Sequence, residues 1–276
     1  MSLSVHRDGK MRCHYCGYES SRVKTCPECG SDHIGEFRAG TQQIEDIVKR
    51  IFPRARVLRM DMDTTLQKDS HEKILSAFAN EEADILVGTQ MIVKGHDFPN
   101  VTLVGIISID KALFTGDFRS YERTFSLITQ VAGRSGRGDK PGRAFIQTFV
   151  PDHYVINLAA QQDYDEFYEE ETALRKTLLF PPYCDICAVN FSSEMESRAI
   201  EGSRSFLQTL RGKIVNEQIK IPLRVLGPTQ CTLGRINNRY RYRIIIKCRV
   251  SKQLHALISD CMVRFMKDRR FSAVRI

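Results

Sequence analysis

Two short stretches decide the fold of this chain. The first is DILVGTQMIVKGHDF at residues 84–98, in which a short apolar run ends at Gly88 and Thr89 and a polar loop follows. The second is QVAGRSGR at residues 130–137, which brings two arginines close to two glycines. Short apolar runs are typical of buried parallel strands, and ligands of parallel sheets gather where the strands end. The two stretches therefore predict a parallel α/β fold with a phosphate-binding edge.

The sequence between residues 40 and 150 alternates helical and strand patterns. Apolar side chains at helical spacing predict a helix over 41–52, a second one capped by Asp69 or Ser70 and reaching Phe78, and a third over 118–133. Short apolar runs predict strands over 56–62, 84–88, 103–108 and 143–150. Strands that alternate with helices favour a parallel sheet with right-handed crossovers.

The composition is that of an ordinary globular protein. The chain has 276 residues, of which 42% are hydrophobic and 27% are charged, and this length allows two domains with separate cores. No stretch approaches the roughly 20 apolar residues of a membrane span, and the first residues contain no apolar signal core. We therefore expect a protein that is neither membrane-embedded nor secreted, with reduced cysteines.

Positive charge is concentrated in the last third of the chain. The net charge is +8, but residues from 185 onward contain 18 Lys and Arg against 7 Asp and Glu, so the first 184 residues are net acidic. Cations release counterions from nucleic-acid phosphates, and aromatic rings stack on unpaired bases. The alternative is a sheet edge that is protected by charges. The residues predicted to bind nucleic acid are Arg235, Arg239, Tyr240, Arg241, Tyr242 and Arg243.

Four cysteines near the start form two pairs with zinc-knuckle spacing. They are Cys13, Cys16, Cys26 and Cys29. Each Cys-x2-Cys pair can place two thiolates about 2.3 Å from one metal ion. Because Zn²⁺ has no redox chemistry and four thiolates leave no open coordination position, the pattern predicts a structural zinc site.

The two deciding stretches resemble motifs V and VI of superfamily 2 helicases. Together with the zinc knuckles, GTQ at 40–42, DMDTT at 61–65 and the segment at 112–123, they resemble the primosomal protein N-prime family of bacterial replication-restart helicases. The resemblance implies a cytoplasmic, ATP-dependent 3′→5′ DNA helicase that recognises stalled replication forks and promotes primosome assembly. The implied partners are forked and single-stranded DNA, the single-stranded-DNA-binding protein, and the primosome and replicative-helicase-loading proteins.

The resemblance also implies roles for individual residues at the predicted edge. Arg137 matches an arginine finger that contacts the γ-phosphate of ATP, Arg134 matches its companion, and Gln130 would position them. Arginine suits this role because its planar guanidinium keeps its charge. Thr89 and Thr41 would contact the phosphate backbone of the translocated DNA strand. The residues of the preceding loop that would lie toward the nucleotide are Asp97, Gly95 and Lys94.

A helicase of this kind needs a further lobe to hold ATP and Mg²⁺. That lobe would supply a phosphate loop ending in Gly-Lys-Ser/Thr and an acidic Walker B pair, and the sequence contains neither. We therefore expect a C-terminal fragment that begins inside the zinc region and has no ATPase activity alone. The family holds two zinc ions with four nested CxxC pairs, which would assign Cys13 and Cys16 to a different ion from Cys26 and Cys29. In this chain the four thiolates would either share one zinc or stay empty.

The sequence after residue 182 predicts a ferredoxin-like domain. Strands at 188–192, 223–226, 241–248 and 271–276 and helices at 196–215 and 252–266 give the order β-α-β-β-α-β. The predicted organisation is a partial zinc-binding region (1–38), a RecA-like helicase lobe 2 (39–150), a helical linker (151–182) and a C-terminal DNA-binding domain (183–276). The alternative function is a non-catalytic, zinc-containing nucleic-acid-binding adaptor, in which Gln130, Arg134 and Arg137 would have no nucleotide to address.

Overall fold

The chain forms two compact units in a computed structural model. The structure describes residues 4–5, 10–12, 18–21, 23, 25–26, 28–32, 40–61, 64–65, 70–89, 92, 98–133 and 141–276. The first unit comprises Met1–Lys24, Phe114–Phe118 and Tyr168–Ile276. The second unit comprises Thr25–Leu113 and Arg119–Phe167.

Three short strands lie at the start of the first unit. They are β1 (Ser4–Val5), β2 (Lys10–Arg12) and β3 (Glu19–Ser21), and they form an antiparallel sheet with β2 in the centre. Lys10 Nζ lies 3.4 Å from Glu19 Oε2 across β2 and β3. The sequence pattern did not predict this sheet, because two- and three-residue strands are too short to show an alternation.

The second unit alternates helices and strands as the sequence predicts. Its described elements are α1 (Thr41–Ile51), β4 (Val57–Met60), α2 (Ser70–Ala79), β5 (Ile85–Gly88), β6 (Leu103–Ile106), α3 (Asp110–Leu113), α4 (Ser120–Ala132), β7 (Arg143–Ile146) and α5 (Tyr154–Gln161). The predicted helices and strands are all present within a few residues of their expected bounds. The short helix α3 is an addition to the prediction.

The strands of the second unit pair in parallel, in two sets. β4 pairs with β5, and β6 pairs with β7. Among the described residues these are two separate two-stranded sheets, where the sequence suggested one sheet. The β6–β7 pair carries exposed apolar side chains at Leu103 and Phe145. One face of this pair is therefore not buried, so the burial that favours a continuous parallel sheet is incomplete here.

The core of the second unit is formed by α3, α4 and α5. Ile128 of α4 and Val155 and Ala159 of α5 are fully buried, and Phe125 stacks on Phe167 with ring centroids 4.2 Å apart. The segment predicted as a helical linker, 151–182, is indeed helical, with α5 followed by α6 (Tyr164–Leu178). Because α5 buries its apolar side in this core, it is part of the second unit and more than a connection.

Gly88, at the end of β5, provides a test of how closely β4 and β5 pack. A Cβ atom at this position would overlap the carbonyl oxygen of Met60 and the side chain of Ile92. We expect Gly88→Ala to lower the free energy of unfolding by about 1–3 kcal/mol, because backbone cannot yield as a side chain can. Urea unfolding followed by circular dichroism measures this.

Gly105 of β6 is the matched control for Gly88. A Cβ atom there would meet no described atom within 4 Å. Gly105→Ala should leave stability unchanged or raise it by up to about 1 kcal/mol, because alanine restricts the unfolded chain. Equal effects of the two substitutions would show that the contact between Gly88 and Met60 is not tight.

The C-terminal part of the first unit is an antiparallel sheet covered by two helices. Its elements are β8 (Asp185–Ser193), α7 (Glu196–Asn216), β9 (Arg224–Ile236), β10 (Arg239–Cys248) and α8 (Lys252–Lys267). β10 lies between β8 and β9. On the covered face, the ring of Phe191 packs edge-on against those of Phe206 and Phe265, with centroids 5.5 and 5.6 Å away.

The predicted last strand, 271–276, is not formed as a strand. A short 3-10 helix, Arg269–Phe271, is followed by one isolated antiparallel bridge between Ser192 and Arg275. The side chains of Phe271 and Val274 are each only 8% exposed and point into the core. This inward turn prevents the segment from forming a continuous ladder of strand hydrogen bonds. The apolar pattern of the segment therefore reflects burial in a compact turn.

Candidate functional site

The carboxyl ends of β4 and β5 bring several predicted site residues to one edge. Met60 pairs with Gly88 at the last position of this parallel pair, so Asp61 and Thr89 both follow at the same edge. The Thr41 hydroxyl, at the start of α1, donates a hydrogen bond to the Asp61 carboxylate. The structure therefore places Thr41 and Thr89, the two residues predicted to contact the DNA backbone, at the same edge of the β4–β5 pair.

Asp61 is a buried carboxylate that organises this edge. Its Oδ1 accepts the backbone N–H of Thr64 at 3.0 Å, and its Oδ2 lies 3.4 Å from Arg59 Nε. The hydrogen bond from Thr41 lowers the pKa of Asp61, and the Thr64 N–H and the Arg59 charge add to this effect. Sequence reasoning quoted the DMDTT motif but assigned Asp61 no role. The predicted strand, 56–62, included Asp61, whereas the observed strand β4 ends at Met60 and leaves Asp61 at the strand end where ligands gather.

Thr41 can approach a phosphate mainly through its backbone. Its hydroxyl proton is engaged by Asp61, so the side chain can offer only an acceptor oxygen. The first turn of α1 has no acidic residue, and its N-cap is Gly40. Backbone N–H groups at a helix start favour anions, so the geometry directs the predicted contact to the N–H groups of this turn.

Helix α4 leads into the second deciding stretch. Gln130 is exposed on its last turn, whereas Ile128 and Val131 are buried. The helix ends at Ala132, and the N–H of Gly133 closes it on the carbonyl of Thr129 at 3.0 Å. The predicted nucleotide-facing residues Arg134, Arg137, Asp97, Gly95 and Lys94 lie outside the described residues. Their roles stay predictions.

One of the two predicted zinc knuckles falls within the described chain. Gly30, with φ +68°, allows the turn in which its N–H donates to the Cys26 carbonyl at 2.8 Å. Hydrogen bonds from the backbone N–H of Cys29 and then of Glu28 lower the pKa of Cys26. A stabilised thiolate is the form that binds zinc, so this knuckle fits one half of a zinc site.

The other half of the predicted zinc site is the pair Cys13 and Cys16. Cys13 and Cys16 lie outside the described residues. Among the residues that are described, no group of three or more His, Cys, Asp or Glu side chains is arranged to hold a metal ion. The zinc site therefore remains a prediction supported by the geometry at Cys26.

Strand β10 distributes its side chains over two faces of the C-terminal sheet. Ile244 and Ile246 are fully buried in the core beneath the helices, and the Tyr242 hydroxyl donates to Glu196 Oε1 of α7 at 2.9 Å. Successive side chains of a strand alternate between faces. Arg241 and Arg243 therefore lie on the face opposite α7 and α8, which we call the open face.

The open face is polar around these two arginines. Asn190 of β8 pairs with Arg243, and its Oδ1 lies 3.9 Å from the Sγ of Cys231. Burial raises the pKa of the Cys231 thiol, whereas the charges of Arg241 and Arg243 act in the opposite direction. Both guanidinium groups thus lie near the same thiol, and the open face concentrates positive charge.

The remaining residues of the predicted basic surface lie elsewhere. Arg239 donates to the carbonyls of Ser192 and Ala273 at 2.9 and 3.3 Å, so it fastens the C-terminal segment to β8. Arg235 lies over the ring of Tyr240, 4.9 Å from its centroid. The structure therefore brings Arg241 and Arg243 together, and separates them from Tyr242, which lies beneath α7.

The end of β10 farther from the turn is covered by an aromatic-cation stack, which consists of Arg175, Phe118, Phe180 and Lys247. Phe118 stacks on Phe180 with centroids 5.6 Å apart, and Arg175 lies 5.5 Å from the Phe118 centroid. Lys247 Nζ lies 3.9 Å from the Phe180 centroid and donates to the Leu178 carbonyl at 2.6 Å. Burial lowers the pKa of Lys247.

Comparison with known families agrees with these two units. A helicase conserved C-terminal domain matches residues 36–139, and a primosomal protein N C-terminal domain matches residues 176–276. The parallel α/β unit is therefore similar to a helicase C-terminal domain. Over most of its length the chain is similar to proteins named replication restart protein PriA, and its last part matches the primosomal protein N C-terminal domain.

Three relatives illustrate the similarity, all named replication restart protein PriA. The protein of Bacillus subtilis (strain 168) is 45% identical over 97% of this chain and 33% of its own length. The Synechocystis protein is 38% identical over 90% of this chain and 30% of its own length. The Chlamydia pneumoniae protein is 38% identical over 97% of this chain and 37% of its own length. The chain thus spans about a third of the length of these relatives.

None of the helices among the described residues combines the length and the apolar content required to span a bilayer.

Proposed function

We propose that this chain is the C-terminal part of an ATP-dependent 3′→5′ DNA helicase that recognises stalled replication forks and promotes primosome assembly and replication restart. The family match of both units supports this function. The proposed partners are forked and single-stranded DNA, the single-stranded-DNA-binding protein, and the primosome and replicative-helicase-loading proteins.

The second unit would act as the second RecA-like lobe of the motor. Arg137 and Arg134 would stabilise the charge that develops on the transferred phosphoryl group, and Gln130 would position them. ATP and Mg²⁺ would be held by another lobe, so this chain alone would not hydrolyse ATP. The loop residues proposed to face the nucleotide are Asp97, Gly95 and Lys94. The exposed position of Gln130 at the end of α4 supports this role.

A zinc ion would have a structural role near the start of the chain. Cys26 and Cys29 form a knuckle whose thiolate is stabilised by backbone N–H groups, and Cys13 and Cys16 would supply the second pair of thiolates. Four thiolates would complete a tetrahedral shell and exclude catalysis at the metal.

The C-terminal sheet would be a ferredoxin-like domain that binds DNA. The order β9-β10-β8, continued beyond β8 by the bridge to Arg275, supports this topology. The single observation that carries the binding role is the placement of Arg241 and Arg243 together on the open face. Thr41 and Thr89 would contact the DNA backbone at the edge of the second unit.

Replacing both arginines of the open face tests this role. We expect Arg241→Gln with Arg243→Gln to weaken binding to forked DNA about tenfold. The slope of log K against log salt should fall by about 1.4–1.8, because two phosphate contacts are lost. Fluorescence anisotropy titrations at several salt concentrations measure both quantities.

The matched control removes two arginines from the other side of the sheet. Arg204 and Arg211 are exposed on α7, and Arg204→Gln with Arg211→Gln causes the same change in net charge. This variant should keep the salt slope of the unmodified chain. Equal slopes for both double variants would show that binding follows total charge and does not use the open face.

A further inference from the structure

The β9–β10 hairpin ends in an exposed apolar tip. Tyr240 of β10 pairs with Arg235 and Tyr242 pairs with Gln230, so the single residue between them on β10 lies opposite four residues of β9, 231–234. This bulge presents Leu233 with 65% of its surface exposed, and Ile236 beside the turn is 38% exposed. Neither residue belongs to the core beneath α7 and α8. We call Leu233 and Ile236 the apolar tip.

The apolar tip is held in a stiff frame. Asn237 and Asn238 form the turn with φ values of +48° and +58°, which is the conformation of a tight two-residue hairpin. Arg235 Nη2 donates to Asn238 Oδ1 at 3.4 Å, and the same guanidinium lies over the Tyr240 ring. The side chain of Gln230 fills the space at Gly234. Little conformational entropy would therefore be lost when the tip contacts a partner.

The charge around the apolar tip indicates the chemistry of that partner. Residues from 185 onward contain 18 basic against 7 acidic groups, and Arg235 adjoins the tip directly. Apolar side chains framed by arginines match a polyanion with apolar faces, which is nucleic acid with its stacked bases. A partner protein with an acidic rim could pair with the same arginines, but it would offer no stacked bases against which the apolar tip could pack.

The spacing along β10 suggests how the hairpin would lie on DNA. Arg243 is five residues from the turn, which corresponds to about 17 Å of strand. That length matches about five base-pair steps. The arginines of the open face could therefore follow the backbone of a duplex while the tip reaches its end.

From this arrangement we infer that the apolar tip is a wedge that packs against the last base pair of a duplex where it meets single-stranded DNA. The inference rests on the proposed DNA binding of the open face. Leucine and isoleucine inserted at a base step replace part of the stacking that they disrupt. The wedge gives preference for junction structure without preference for base sequence.

Fluorescence of 2-aminopurine tests the wedge directly. The probe is a forked DNA in which 2-aminopurine occupies the duplex base pair beside the junction, and the protein is the full 276-residue chain. Binding of the unmodified chain should raise the fluorescence severalfold, because the probe base loses its stacking. Leu233→Ala with Ile236→Ala should abolish this rise while changing the dissociation constant from anisotropy by no more than about twofold.

Val250→Ala is the control, because Val250 is 59% exposed at the other end of β10. It should retain both binding and the fluorescence rise. Binding of the unmodified chain without a fluorescence rise would overturn the wedge alone, and so would a full rise in the double variant. Failure of the unmodified chain to bind the fork would overturn the proposed function, and the wedge with it.

Discussion

Exchanging Arg137 for alanine is expected to slow ATP turnover by about 10³-fold in a helicase that contains this chain. An arginine finger stabilises charge that develops only in the transition state, so its loss should lower kcat and leave the KM for ATP nearly unchanged. The assay is DNA-stimulated ATP hydrolysis by a chimera in which this chain replaces the matching third of the Bacillus subtilis relative.

Arg143 provides the matched control for Arg137. It is exposed at the first residue of β7, on the edge where the parallel strands β6 and β7 begin. Ligands of such sheets gather at the opposite edge, so Arg143→Ala removes the same charge from the same unit without removing a proposed phosphate contact. Its turnover should stay within about twofold of the parent chimera. An Arg137→Ala chimera that behaves like the Arg143→Ala chimera would refute the finger.

Helix α4 shows how far local sequence can predict this fold. The expected range, 118–133, differs from the observed Ser120–Ala132 by at most two residues. Phe125, Ile128 and Val131 recur at helical spacing on its buried side, and periodicity in a sequence records this one-sided burial. Helix α3 has only four residues, too few for a period, and it was missed for that reason.

Strand β10 shows where local sequence is insufficient. Its arginines and tyrosines were recognised, but the face that each side chain occupies depends on partners distant in the chain. Tyr242 bonds to Glu196, 46 residues earlier, and Arg239 bonds to the carbonyl of Ala273, 34 residues later. The same limit applies to Asp61, whose partner Thr41 lies 20 residues earlier. Such pairings exist only once the sheet and its helices have assembled.

Glu171→Gln is expected to lower the free energy of unfolding by about 3 kcal/mol. Glu171 Oε1 lies 2.7 Å from Arg175 Nε on α6, and the two side chains are only 7% and 15% exposed. Removing the carboxylate charge leaves a poorly hydrated guanidinium without its counterion. Removing one partner of a buried ion pair costs about 3–5 kcal/mol. We expect the lower end of this range, because Arg175 keeps the Phe118 ring and the Pro181 carbonyl as neighbours.

The loss should extend beyond the ion pair itself. Arg175 is one layer of the aromatic-cation stack, in which Phe118 and Phe180 lie between it and Lys247. If Arg175 turns toward water, Phe118 loses its cation and the segment around Phe180 loses packing. Hydrogen exchange of the amides near Phe180 should therefore accelerate in the Glu171→Gln variant. The overall stability is measured by urea unfolding with circular dichroism, since the chain contains no tryptophan.

Two further variants separate burial from simple charge. Glu201 pairs with Arg198 on α7 with side chains 57% and 47% exposed, so Glu201→Gln should cost at most about 1 kcal/mol. Glu171→Gln combined with Arg175→Met removes the stranded cation and should recover most of the stability, because an apolar side chain can pack on Phe118 without desolvating a charge. A double variant as unstable as Glu171→Gln alone would mean that the lost stability came from the hydrogen bond and its geometry, and that the uncompensated charge of Arg175 was not its source.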